Sequence, residues 1–284
     1  MRFSNPSAEI FVPDARSIEE ALGRTTHLAV AAHQDDVEIM AFHGILECFG
    51  REDRGFAAVV VTDGRGSPRD GIYADYTDEQ MREVRRREQK KAAVVGEYAA
   101  LVLLDHPSGI VKDPAAREPL EDLKEVFMAT APRIVYTHNL ADKHDTHVAV
   151  AIRTIRALRE LPPEKRPEKV LGCEVWRDLD WMPDEDKVAL RVDGRDNLAA
   201  ALLGVFDSQI CGGKRYDLAT LGRRRAHATY HATHGVDEVE GLTLAMDLTP
   251  LIRAPEESIR GYVVSFIQRF AAEVEERLRR LDVE

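Results

Sequence analysis

The segment Thr26-His27-Leu28-Ala29-Val30-Ala31-Ala32 reads as a short buried strand, and it runs directly into His33-Gln34-Asp35-Asp36-Val37-Glu38, which holds one imidazole and three carboxylates within six residues. Beyond this cluster, Val37, Met40, Ala41, Ile45, Cys48 and Phe49 recur at helical spacing, which predicts a helix over Val37 to Phe49. The cluster therefore occupies a turn from the carboxyl end of a strand into a helix. In an open α/β sheet that crest is where ligands bind.

The same unit continues along the chain. Phe56 to Val61 is a β-branched strand ending in Thr62-Asp63-Gly64-Arg65-Gly66, followed by a long loop (Ser67 to Tyr76) and a helix over Thr77 to Tyr98. Ala100 to Leu104 is a third strand, and a helix over Arg117 to Thr130 leads to a fourth, Arg133 to Thr137. A helix from Val148 to Leu161 follows. Lys169 to Glu240 reads as a less regular cap containing short strands and a helix over Asn197 to Ile210. The chain then closes with a strand (Leu242 to Leu248) and an amphipathic helix (Glu256 to Leu281) whose apolar stripe suits either the sheet or a neighbouring subunit. The N-terminal stretch reads as a polar lead-in, with a helix start at Ser17-Ile18-Glu19-Glu20.

Two clusters carry chemistry. Zinc accepts imidazole nitrogen and carboxylate oxygen, and a catalytic zinc keeps one position open for water. His33 and Asp36 suit one such ion, leaving Asp35 as a free carboxylate beside it, which is what a general base requires. The competing reading is that Asp35 and Asp36 only cap the helix that follows. At the exit of the fourth strand, Thr137 to His147 holds three histidines and two aspartates, again where a strand gives way to a helix. His106 is a further candidate for the cleft. His227, His231 and His234 would share a helical face, but no carboxylate nearby completes a second metal site.

Of 284 residues, 39 are basic and 50 acidic, a net charge of −11 that argues against a nucleic-acid or anionic-membrane partner. Three scattered cysteines (Cys48, Cys173, Cys211) form no metal or disulfide pattern and suit a reducing compartment. With no long apolar segment, the expectation is a cytoplasmic protein.

Ala32-His33-Gln34-Asp35-Asp36-Val37-Glu38 resembles the A-H-P-D-D-x-E signature of the PIG-L/LmbE family of zinc-dependent de-N-acetylases, with Gln34 in place of proline. His144-Asp145-Thr146-His147 resembles the family's H-P-D-H, with Asp145 and Thr146 at the two central positions. Arg85-x-x-Glu88 resembles an R-x-x-E pattern, and Phe206-Asp207-Ser208-Gln209 an H-x-S-Q element. Ser108 stands where relatives often carry aspartate. The resemblance implies one Zn2+ per chain, or another divalent ion, held by His33, Asp36 and His147. It further implies Asp35 as general base, a protonated His144 at the substrate carbonyl supported by Asp142 or Asp145, and Arg85 reaching the substrate.

The expected fold is α/β: a Rossmann-like three-layer domain spanning residues 1–284, with a mostly parallel sheet (core about 24–161) and a less regular cap (about 162–284). The expected reaction is removal of an N-acetyl group from an amino sugar such as an N-acetylglucosamine conjugate. Hydrolysis of a different amide, hydrolysis of a phosphoester and a non-catalytic sugar- or nucleotide-binding module are the alternatives. The expected partner is a small N-acetylated molecule, and a homo-oligomer built through the C-terminal helix is compatible with the sequence.

Overall fold

A computed structural model describes residues 1–281. Eight strands form one sheet: β1 (Glu9–Phe11), β2 (Thr25–Ala31), β3 (Gly55–Thr62), β4 (Ala100–His106), β5 (Ile134–His138), β6 (Lys169–Cys173), β7 (Lys187–Arg191) and β8 (Leu242–Asp247), in the order β1-β4-β3-β2-β5-β6-β8-β7. The five central strands pair in parallel. β1, β8 and β7 pair antiparallel on the two flanks.

The central strands read as near-continuous apolar runs because both of their faces are covered. Alternate residues feed two cores. Leu28, Val30, Ala57 and Val59 pack with Phe127, Ile155 and Phe266, while Ala29, Ala31, Ala58 and Val60 pack with Ile45, Ala92 and Leu202. The first group belongs to the helices Glu118–Thr130, Asp145–Glu160 and Ile259–Arg280, the second to Phe42–Cys48, Asp78–Val95 and Asp196–Gly204. Mixed α/β architecture with a mostly parallel central sheet is thus present, as the alternating pattern implied.

From β2 the chain moves to β3 and β4 on one side, then returns to place β5 on the other. The two loops that leave β2 and β5 diverge at this reversal, and their tips line a crevice between them. Pairing of Leu28 with Val135 and Ala29 with Tyr136 brings the ends of the two strands level.

Several local elements depart from the sequence pattern for identifiable reasons. The helix expected over Val37 to Phe49 is two pieces, Asp36–Met40 and Phe42–Cys48. Between them the Arg224 guanidinium donates to the carbonyls of Glu38 (2.8 Å) and Ile39 (3.2 Å), which an unbroken helix would use internally. The helix expected over Asn197 to Ile210 also divides, into Asp196–Gly204 and Asp207–Ile210. Glu9–Phe11 forms an edge strand within the polar lead-in, too short to show a period. A helix over Tyr216–Tyr230 stands in the stretch expected to be irregular, its charged run Arg223-Arg224-Arg225 having hidden the apolar spacing. At Ser17 the capping box forms fully, with Ser17 and Glu20 satisfying each other's backbone N–H groups.

The C-terminal helix is only half engaged. Ile259, Tyr262, Val263 and Phe266 pack on the sheet-side core, whereas Ile267, Phe270 and Leu278 remain at the surface. Among the described residues no helix is long and apolar enough to cross a membrane. Phe266, at 4% exposure, should therefore carry this helix's packing, while Phe270, at 38%, should not. Urea unfolding of Phe266→Ala is expected to show a loss of about 3–5 kcal/mol, against less than about 1 kcal/mol for Phe270→Ala.

Candidate metal and acid–base site

Three donor atoms from the two loops meet in a nearly equilateral triangle. His33 Nδ1 lies 3.2 Å from Asp36 Oδ2 and 3.1 Å from His147 Nε2, and His147 Nε2 lies 3.3 Å from Asp36 Oδ2. Tetrahedral bonds of the usual zinc length give ligand-to-ligand edges of about 3.3 Å, so the donor set and its spacing fit a single zinc ion. The local fold makes this possible: His33 and Asp36 span the turn after β2, with the His33 N–H donating to Asp36 Oδ2 at 2.7 Å. The helix after β5 begins at Asp145, which seats His147 in its first turn.

The electrostatics favour a cation at this point. Burial alone would raise the Asp36 carboxyl, but His147 and His138 hold it well below the usual carboxylate range. Burial pushes His147 down, yet Asp36 and Asp142 outweigh it and lift the imidazole to about 9. The second oxygen of Asp142 lies 3.6 Å from His147 Nδ1, on the side away from the triangle. A carboxylate behind a metal-ligating histidine fixes its ring orientation and strengthens it as a donor.

Asp35 sits beside the triangle in a backbone conformation that L-residues seldom adopt, φ 96° and ψ −32°. Such a conformation costs on the order of 1–3 kcal/mol and persists only where neighbours impose it. Asp35 makes no capping hydrogen bond to the helix it precedes, so the helix-cap reading of this carboxylate fails. Burial raises its pKa to about 7 against the lowering effect of Arg85, whose Nη2 stands 3.3 Å from Asp35 Oδ1.

Arg85 is 1% exposed although it lies in the charged run Arg82 to Glu88. Its guanidinium also donates to the Gln34 carbonyl. Arg82 turns instead to Asp105, and Glu88 accepts from the N–H (2.7 Å) and hydroxyl (2.6 Å) of Ser208. The R-x-x-E and x-x-S-Q segments are therefore in mutual contact. Gln34 donates to the Thr62 carbonyl at 3.1 Å, tying the turn after β2 to the end of β3. Gly64 is required beside it: its φ is +68°, and a Cβ there would stand 2.1 Å from Gln34 Oε1.

His144 lies across the site, its ring centroid 5.0 Å from that of His33 and 4.7 Å from that of His147. Burial, with His147 and His33 beside it, drives its pKa down to about 4. The Thr146 N–H points at His144 Nδ1 from 3.3 Å, so the neutral ring carries its proton on Nε2. Both features favour a neutral His144 with Nε2–H as its donor over the protonated ring expected from the motif. Asp142 does not support this ring: its Oδ1 accepts from the His144 backbone N–H at 3.0 Å. Asp145 is exposed.

Sequence reasoning assigned no role to His138, which is fully buried and stacks on His147 with ring centroids 3.9 Å apart. Its Nε2 accepts from the Ala32 N–H at 2.9 Å and lies 3.5 Å from Asp36 Oδ2. The signal was its place as the last residue of β5, level with the exit of β2. His106 does not face the cleft; it pairs with Asp122 at 2.9 Å. His227 pairs with Glu174 at 3.0 Å, while His231 and His234 are exposed and join no ligand cluster.

The site opens into a cleft of about 540 Å³ whose walls include His33, Asp35, Arg85, His144, Trp176 and Tyr216. The loop after β3 contributes Gly64 to Pro68 to these walls. Tyr73, further along the same loop, donates to Asp207 at 2.7 Å and pins the loop to the helix Asp207–Ile210.

The reversal point of the α/β sheet thus brings together a half-buried imidazole, a buried imidazole and a buried carboxylate, beside a second carboxylate. Residues 28–158 match the family model PIG-L, described as GlcNAc-PI de-N-acetylase, and both loops lie inside that span. This segment is similar to the PIG-L family. Among curated proteins none matches this sequence.

Solved structures share the fold. A conserved protein from Thermus thermophilus is 18% identical with a TM-score of 0.60, covering 82% of this chain and 99% of its own. The N,N'-diacetylchitobiose deacetylase of Pyrococcus horikoshii, complexed with an inhibitor, is 15% identical with a TM-score of 0.58, covering 82% of this chain and 88% of its own. The 4-carboxy-2-hydroxymuconate hydratase GalB of Pseudomonas putida is 16% identical with a TM-score of 0.57, covering 79% of this chain and 96% of its own. One fold thus carries more than one chemistry, and the site must decide the function.

Glu38, fully buried behind the site, has its carboxyl raised to about 8, chiefly by burial and against the hydrogen bonds from Tyr98 (2.6 Å) and Gln89 (2.8 Å). A folded-state pKa above the unfolded value means stability that is full below about pH 4.5 and lost as pH rises through about 8. Glu38→Gln keeps an oxygen acceptor for both donors and removes the titration. Between these two pH values the variant is expected to gain stability relative to wild type, measured by denaturant unfolding, with the difference level on either side.

Proposed function

We propose that this protein is a zinc-dependent hydrolase that removes an N-acetyl group from an amino sugar or amino-sugar conjugate. The observation that carries the reading is the triangle of His33, Asp36 and His147, with Asp35, held by Arg85 and outside the triangle, lining the same cleft. A zinc ion at the triangle would supply a water of lowered pKa and polarise the acyl oxygen.

The chain's own residues do the rest. Asp35 takes the proton from the attacking water: its raised pKa, near neutrality, matches a general base working at that pH. His144, neutral and carrying its proton on Nε2, donates to the acyl oxygen as charge builds there; one such donor is worth roughly 3 kcal/mol of barrier. Asp142 holds the His147 ring in place. Arg85 keeps the Asp35 carboxylate oriented and lines the same cleft, within reach of substrate. Asp35 then returns the proton to the departing amine, leaving acetate and a free amine. The de-N-acetylase description of the matched family and the deacetylase among the structural neighbours support amide hydrolysis over the fold's other chemistry.

Two measurements test this. Dialysed protein analysed for metal is expected to hold close to one zinc per chain, and His147→Ala or Asp36→Ala to hold little. Acetate release from a panel of N-acetyl amino sugars and conjugates is expected from wild type, and to fall by at least about 10³-fold in Asp35→Asn at equal zinc content. Stoichiometric zinc without acetate release from any member of the panel would overturn the deacetylase reading.

A further inference from the structure

The peptide joining Gln34 to Asp35 is held from both sides by one helix. Its carbonyl accepts from Arg85 Nη2, and its N–H donates to Gln89 Oε1 at 3.2 Å. Arg85 and Gln89 are four residues apart on the helix Asp78–Val95 and so share a face. Gln89 is fully buried and cannot turn away: its Nε2 donates to Glu38 Oε1 at 2.8 Å, and that oxygen also accepts from Tyr98 at 2.6 Å. Both Glu38 and Tyr98 are themselves buried. The chain Tyr98, Glu38, Gln89 therefore presents a carbonyl oxygen, at a fixed place, to the one N–H whose direction sets the φ of Asp35.

We propose that Gln89 is a positioning residue for the Asp35 carboxylate: with Arg85 it clamps the Gln34–Asp35 peptide in the left-handed conformation that turns this side chain toward the metal triangle. Asp35 itself makes no cap bond that would hold the turn, and no glycine stands there to relieve it. The consequence rests on the proposed role of Asp35 as base. The clamp itself does not, because it is a statement about backbone conformation.

The test is Gln89→Leu, close in volume and without either hydrogen bond, beside Gln89→Glu, which retains an oxygen toward the Asp35 N–H. In crystal structures of the zinc-loaded proteins, Asp35 is expected to keep its positive φ in wild type and Gln89→Glu and to relax to negative φ in Gln89→Leu. Acetate release is expected to show a kcat lowered by roughly 10²-fold in Gln89→Leu, with KM and zinc content near wild type and partial recovery in Gln89→Glu. Should Gln89→Leu not fold, Gln89→Met is read by the same two measurements. A Gln89→Leu or Gln89→Met structure with Asp35 unmoved would overturn the clamp whatever the activity. A kcat loss that merely follows lost zinc or lost thermal stability would reduce Gln89 to a packing role and overturn the proposal as well. If wild type shows no deacetylation, the function fails while the crystallographic comparison still decides the clamp.

Discussion

The parallel pairing of β2 with β5 is the constraint on which the site depends. Neither loop holds all three donors: His33 and Asp36 follow one strand, His147 the other. Three registered pairs, from His27 with Ile134 to Ala29 with Tyr136, fix how far each strand reaches the crest. A slip of one residue in either strand would turn its exit to the opposite face and move the donors apart by a residue's rise. The Ala32 N–H donating to His138 Nε2 extends the pairing past the last strand bond and carries the register into the site. Packing on both faces of the sheet thus positions these side chains, which no contact inside the site could do alone.

The same register concentrates charge. Asp35, Asp36, His138 and His147 are all at least nine-tenths buried. Burial of ionisable groups this dense is costly unless they compensate one another. Asp36 is held ionised by His147 and His138, and His147 is held cationic by Asp36 and Asp142. Arg85 offsets part of the cost of Asp35. A divalent cation bound by His33, Asp36 and His147 would take over the compensating role now played by the proton on His147, since a ligating imidazole must be neutral. With His147 raised by Asp36 and Asp142, metal binding there is expected to release a proton.

The sheet strands, the parallel core and the two ligand loops were legible because each rests on local signals: apolar runs, helical spacing and ligand-type residues at strand exits. What was hidden is non-local. Nothing in the order of residues says that Arg224 reaches back to two carbonyls and breaks the helix after the site, or that Gln89 meets Asp35 across 54 positions. The sequence neighbours of Arg85 are charged, and only the packing of its helix against the turn after β2 buries it. His138 stood in plain view, but its role depends on which strand lies next to β5.

The departures from the resembled motifs find physical counterparts, with one exception. Gln34, in place of proline, supplies an amide that binds the end of β3, and Gly64 yields the space that amide needs. Ser108 lines the cleft at the start of a short helix, and nothing in the structure explains its substitution. Thr146 matters most. An aspartate in that motif would support His144 as a charged acid, accepting its proton; here a backbone N–H faces Nδ1 instead. A nitrogen that accepts there leaves the ring neutral, with Nε2–H as its only donor, much as a helix N-terminus disfavours imidazolium elsewhere. Such a ring can stabilise an oxyanion but has no spare proton to give to a departing amine at neutral pH. In the proposed reaction both proton transfers therefore fall to Asp35, which is why the conformation of that one residue is held by so much of the surrounding structure.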